Sequence, residues 1–181
     1  MDVMKYYRLQ SDQIQMTGSV EKQSGPAIFK LVAGKSYEAK ASSLPFRFSF
    51  ESNGKPLCDY YSANCLMSKG LVDALKASGV DNLQVYPTVL TEGSSGAVRE
   101  DYCVVNVIGL VAAADMEKSE AIPLGGGQVF TSLEVDPARG KGLLMFRLAE
   151  SRIDLIVHEK VATAVEAGQF RGVVLSPVSS D

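Results

Sequence analysis

Apolar and polar positions divide the chain into a few segments with a clear period and several without one. The clearest lies between residues 56 and 90. Ser68 is suited to cap a helix, because its hydroxyl can accept from the free backbone N–H groups of a first turn. Leu71, Val72 and Leu75 fall on one helical face, and Gly79 stands where a helix commonly ends in a left-handed residue. Asp81-Asn82 then turns the chain into a strand in which Leu83, Val85 and Val89 alternate with Gln84, Tyr86 and Thr88.

Elsewhere the pattern favours strands. Residues 2–9 (DVMKYYRL) predict an opening strand with Val3 and Tyr7, or Met4 and Tyr6, turned inward, and 10–23 is polar without a sustained period. Ala27 to Val32 is a short apolar run set between Gly25-Pro26 and Gly34, and it reads as another strand. In Pro45 to Glu51, Phe46, Phe48 and Phe50 alternate with Arg47, Ser49 and Glu51, as in a strand covering a core, and Asn53-Gly54 makes a turn.

Residues 91–101 (TEGSSGAVRED) read as a flexible connector at the tip of a long hairpin, with Tyr102 to Leu110 returning covered on both faces. A short helix or turn is expected over 112–118. Gly125-Gly126-Gly127 precedes a strand at Val129 to Val135, for which Leu143 to Leu148 is the expected hairpin partner. Ile153 to Val157 is a further apolar run. A second helix is predicted over Glu159 to Ala167, burying Val161, Ala164 and Val165 and stopping at Gly168, before a strand from Gly172 to Leu175. Two principal helices among about eight strands give an α+β fold with a mixed, mainly antiparallel sheet. The expected organisation is a single domain over 1–181, with a looser β-rich part at 1–52 and a core at 53–178. Helix, glycine and strand recur in the same order at 69–86 and 159–175.

Composition bounds this picture without changing it. Of the 181 residues, 46% are hydrophobic and 22% charged, enough to build a core. A net charge of -3 argues against a nucleic-acid-binding surface. Neither a secretory signal nor a membrane-length apolar segment is visible, and three cysteines, Cys58, Cys65 and Cys103, suit reduced thiols in a cytoplasmic protein.

Few residues are placed for chemistry. His158 is the only histidine and falls at a helix start, so a His-centred triad or a two-histidine metal site has no second member. The cysteine spacing does not suit zinc. The glycine triplet lacks the Gly-Lys-Ser/Thr ending of a phosphate loop, and Arg139-Gly140-Lys141-Gly142 reads as a basic turn. Adjacent Glu100-Asp101 would point to opposite faces of a strand. No cofactor and no metal are expected. Asp59, Cys103 and His158 are the residues an unfamiliar catalytic site would use.

Charge placement is more informative than total charge. Residues 1–52 carry 7 Lys/Arg and 5 Asp/Glu, 53–135 carry 5 and 10, and 136–181 carry 6 and 6. In the acidic middle, Glu92, Glu100 and Asp101 (with Arg99 between them) form one group and Asp115, Glu117 and Glu120 another. On one rim they would attract a cationic partner; otherwise they are two solvated loops.

A family resemblance adds a function. It rests on Pro56-Leu57-x-Asp59 leading into Met67-Ser68-Lys69-x-Leu71-x-x-x-Leu75, then Gly79-Val80-Asp81-Asn82 with Gln84 and Tyr86-Pro87, and the 102–107 strand with Asn106. Met116-Glu117-Lys118-Ser119-Glu120, Met145-Phe146-Arg147-Leu148, and Ile156-Val157-x-Glu159 through Gly172-Val173 continue the order. In these motifs the chain resembles a bacterial family of immunity proteins from polymorphic toxin systems, the eleventh of that series and formerly a domain of unknown function. The resemblance implies a small cytoplasmic protein without catalysis of its own, which binds a cognate toxin domain, encoded next door, and blocks it. A cationic nuclease would suit the acidic middle. The alternatives are a small-ligand-binding or scaffold module and, further off, an enzyme.

Overall fold

The computed structural model describes residues 4–12 and 19–179. In chain order the strands are β1 (Tyr6–Ser11), β2 (Val20–Ser24), β3 (Phe46–Phe50), β4 (Tyr60–Tyr61), β5 (Leu66–Ser68), β6 (Leu83–Glu92), β7 (Val98–Arg99), β8 (Tyr102–Val107), β9 (Leu110–Val111), β10 (Glu120–Leu124), β11 (Gly127–Ser132), β12 (Met145–Leu148), β13 (Leu155–His158) and β14 (Val173–Pro177). The helices are α1 (Lys69–Ala77), α2 (Pro137–Gly140) and α3 (Glu159–Gly168). The result is a mostly β, mixed α+β fold.

Two sheets organise it. One runs β14-β1-β13-β12-β9, antiparallel except for the β9–β12 pair; the other runs β2-β3-β6-β8-β5-β4, with β7 on β6 and β3 parallel to β6. Both sheets and both long helices bury residues in one shared core: Leu9, Val157 and Met145 from the first, Met67, Val105 and Val107 from the second, and Leu71, Leu75, Val161 and Val165 from the helices. A second core, built on Phe46, Phe48, Phe50, Tyr86, Leu90 and Val104, belongs to the seven-stranded sheet. A third gathers Tyr6, Phe146, Leu148 and Ile156 with Phe130 and Leu133. Strand β8 therefore has every side chain buried, as its adjacent valines predict.

The predicted helix caps are present. Ser68 Oγ accepts from Leu71 N at 3.2 Å, and Gly79, at φ +103°, closes α1 with Gly79 N donating to Lys76 O and Val80 N to Leu75 O. This is a Schellman ending, with Val80 and Leu75 meeting in the core. At α3, His158 Nδ1 accepts from Lys160 N at 3.2 Å. Asn53-Gly54 and Gly125-Gly126 both form turns with two positive φ values.

Five expectations are corrected. Ala27 to Val32 is a 3-10 turn (Ile28–Lys30), with Leu31 N bonded to Ile28 O and Leu31 alone fully buried; the run is apolar because it lids the second core. In β6 the residues assigned outward, Tyr86 and Thr88, are buried with Leu90, because this strand is covered on both faces; Leu83 and Val85 pack on the shared core. Thr88 is tolerated there because its Oγ1 accepts from Val104 N at 2.9 Å. The partner of β12 is β13, while β11 pairs with β10, a strand not foreseen. Helix α3 buries Ala162 rather than Ala164, and it ends on Gln169 in the left-handed region, one residue past Gly168. The polar 10–23 section contains the end of β1 and the edge strand β2. Val3, one of the alternative inward residues, lies outside the described residues; Tyr6 and Leu9 are the buried ones, on opposite faces of β1.

Candidate interaction surface

The first acidic group sits where β6 turns back through β7 into β8. The turn is tied down by its own backbone: Glu92 N donates to Ala97 O and Gly96 N to Glu92 O, both at 2.8 Å. Gly93 N reaches across to Phe50 O at 3.0 Å. Glu92 accepts from the hydroxyls of Ser52 and Ser95, and these hydrogen bonds hold its carboxyl below the usual glutamate range. Arg99 Nε donates to Asp101 Oδ1 at 3.0 Å, and a second bond from Arg99 Nη2 makes the pair bidentate. Arg99 thereby holds the Asp101 carboxyl below its ordinary range. The guanidinium also lies 5.5 Å over the Tyr102 ring, a cation–π geometry. Glu100 between them is exposed. Helix α1 is joined to this corner directly, since Lys69 N donates to Asp101 O at 2.8 Å.

The second group follows β9. Asp115 accepts from Glu117 N through Oδ1 and meets Lys118 Nζ at 3.3 Å. Desolvation opposes ionisation of Asp115, but the bonds from Lys118 and the backbone outweigh it and leave the carboxyl below the ordinary range. Glu117 is exposed in the turn and Glu120 opens β10. Of the seven positions, the structure joins Arg99 to Asp101 directly and sets Glu92 and Glu100 in the same hairpin. Asp115, Glu117 and Glu120 lie past the other end of β8, after β9 has joined the five-stranded sheet.

Beyond this second group projects the β10–β11 hairpin, a two-stranded unit outside both larger sheets. Ala121 and Phe130 face inward onto the third core. On the opposite face stand Ile122 and Leu124, 60% and 69% exposed, paired with Val129 and Gly127. Met116 nearby is 49% exposed. A recess of about 540 Å³ at the hairpin tip is lined by Met116, Pro123, Leu124, Gln128, Ala149 and Glu150 among others. In the sequence the run Ala121-Ile122-Pro123-Leu124 before the glycine turn is the signal for this hairpin, and it lacks the alternation of a half-covered strand, with Pro123 arguing against one.

A separate cleft of about 400 Å³ is lined by Arg8, Ile28, Phe29, Val32 and Ile153, with Asp154. The residues an unfamiliar catalytic site would use do other work: Asp59 Oδ2 accepts from Arg171 N at 2.7 Å, Cys103 is buried with its thiol pushed up by burial, and His158 caps α3 with its ring 5.6 Å from that of Tyr6. All three cysteines are buried thiols. Among the described residues no group of three or more His, Cys, Asp or Glu gathers as for a metal, and no helix is long and apolar enough to cross a membrane.

The fold is thus that of a mostly β, α+β chain with two acidic turns and one exposed apolar hairpin. Its sequence matches the Immunity protein family (Imm11) over residues 3–180, nearly the whole chain, and the protein belongs to that family. Membership points to a toxin-neutralising immunity role, in a family that is generally non-catalytic. No curated protein matches the chain.

Proposed function

We propose that this protein neutralises a cognate bacterial toxin domain of a polymorphic toxin system by binding it in the cytoplasm, with no catalytic step of its own. The observation that carries the proposal is the family match over residues 3–180. The partner-binding positions are Glu92, Arg99, Glu100, Asp101, Asp115, Glu117 and Glu120. Carboxylates held ionised by Ser52, Ser95, Arg99 and Lys118 suit a cationic partner. A nuclease domain, whose surface must attract phosphates, has that character. Complementary fields of this kind speed encounter and reject partners of the wrong sign.

The test is co-expression of this chain with the product of the adjacent gene, followed by binding measurements on the purified pair. Rescue of growth together with a one-to-one complex supports the reading. A toxic neighbour that is neither bound nor rescued ends it. The 400 Å³ cleft beside Arg8 and Phe29 favours a second reading, a small-ligand-binding module; a metabolite that raises the melting temperature, and fails to do so when Phe29 is truncated, would support that one.

A further inference from the structure

We infer that the β10–β11 hairpin is the anchor of the toxin interface and that it receives an apolar patch of the partner carrying a lysine or arginine. This inference rests on the immunity reading and adds where and how the partner docks. Ile122 and Leu124 are i and i+2 on one strand, so they form a single apolar stripe with Val129 opposite. Their exposure contrasts with Ala121 and Phe130, which satisfy the hairpin's structural need for an inward face. An exposed stripe of this size beside a recess has the form of an anchor and its socket.

The chemistry of the occupant follows from charge. From Asp115 to Asp136 the chain carries five carboxylates, at 115, 117, 120, 134 and 136, against the single Lys118. Lys118 is itself paired with Asp115. Glu150 lines the recess, and its Oε2 is buried with no hydrogen-bond partner among the described residues. A lysine or arginine entering the recess would give the Glu150 carboxylate a charge-assisted hydrogen bond. A second copy of this chain would instead bring carboxylates against carboxylates.

Docking uses the face of the hairpin and not its edge. Gln128 N donates away from β10, to Glu150 O at 2.8 Å. The Pro123–Gln128 pair is therefore one whose backbone groups point outward, and at that outward position of β10 the proline has no N–H. An added strand would meet a gap in the ladder there, the usual protection of an exposed edge.

The experiment measures binding kinetics between the purified chain and the toxin domain encoded beside it, for the wild type and four variants. Melting curves confirm that each variant is folded. I122S/L124S is expected to weaken binding about 100-fold or more, chiefly through faster dissociation. Glu150→Gln is expected to weaken binding about 10-fold while leaving the free protein equally or more stable, an outcome a purely structural role for Glu150 would not produce. E117K/E120K should slow association several-fold at low salt, and Pro123→Thr should leave affinity unchanged. If the wild type binds but I122S/L124S binds equally well, the anchor is elsewhere and the immunity reading stands. Tighter binding by Pro123→Thr would mean strand addition and overturn the docking mode. Self-association of the wild type that I122S/L124S abolishes would make the stripe a dimer contact. No binding by the wild type removes both this inference and the reading beneath it.

Discussion

Arg8 Nε donates to Asp154 Oδ1 at 2.8 Å, joining the first strand to the turn that launches β13 across 146 residues of sequence. Asp154 is 5% exposed as a residue, and Arg8 adds a second contact from Nη2 at 2.7 Å. Removing one member of a buried pair leaves the other charge without compensation, which is far worse than never having had the pair. Asp154→Ala is expected to destabilise the protein by about 3 kcal/mol. Arg8→Met/Asp154→Leu should lose less than Asp154→Ala alone. Urea unfolding of both variants measures this, and equal losses would show that the Arg8 charge left without its partner is not the source of the cost.

Gly172 and Cys58 cannot both be larger. Gly172 has φ +68°, and a Cβ built there would lie 2.5 Å from Cys58 Sγ and 2.7 Å from its Cβ. Gly172→Ala therefore combines left-handed strain with overpacking, and about 2–4 kcal/mol of destabilisation is expected. Cys58→Ala in the same chain should restore the part due to the sulfur only. Thermal melts of the two singles and the double separate backbone from contact.

Ser68 and His158 do the same job at α1 and α3 with different chemistry. Ser68→Ala removes the acceptor for Leu71 N and should cost about 1 kcal/mol. His158→Ser keeps a side-chain cap but gives up the ring contact with Tyr6, so its melting temperature should stay within a few degrees of wild type. A fall as large as that of a core truncation would assign His158 a task beyond capping.

Glu92, Asp101 and Asp115 have folded values below the ordinary 4.5 for glutamate and 3.8 for aspartate. Each therefore contributes stability that is complete above the ordinary value and is lost as pH falls through the lowered one. The melting temperature should be flat as regards these groups from pH 8 to about 5.5, then decline below about pH 4. The variant E92Q/D101N/D115N should show a shallower decline, and an unchanged acid limb would remove these carboxylates from the account.

Reversing Glu100, Asp101 and Glu117 together should slow association with a cationic toxin several-fold at low salt and much less near 1 M salt. Stopped-flow mixing across ionic strengths checks it. A rate that ignores both the variant and the salt would place the interface away from the acidic turns.

What the sequence revealed divides along the range of the interaction. Ser68, the 71/72/75 stripe and Gly79 act within a few residues of one another, and α1 is where they place it; Phe46, Phe48 and Phe50 are equally local. Tyr86 and Thr88 escape the alternation rule because alternation reports a half-covered strand, and β6 is covered on both faces. The partners of β12 were illegible because pairing with β9 and β13 is decided by the shared core, not by the nearest strand in sequence. The candidate surface split the same way. Glu117 and Glu120 were evident from charge alone, whereas Glu150 joins the hairpin recess only through the fold.

The pairing of β1 with both β13 and β14 governs how the chain can be made. Tyr6 pairs with His158, Val178 N donates to Tyr6 O, and Val135 N reaches Val178 O. The five-stranded sheet therefore stays incomplete during synthesis until β14 has left the ribosome, and β1 waits for β13, about 145 residues later, for its first strand partner. Contacts this distant fold slowly, since the loop must close before any of them contributes. Under the proposed immunity role, protection by a newly made copy therefore waits for β14, the last of the described strands to emerge.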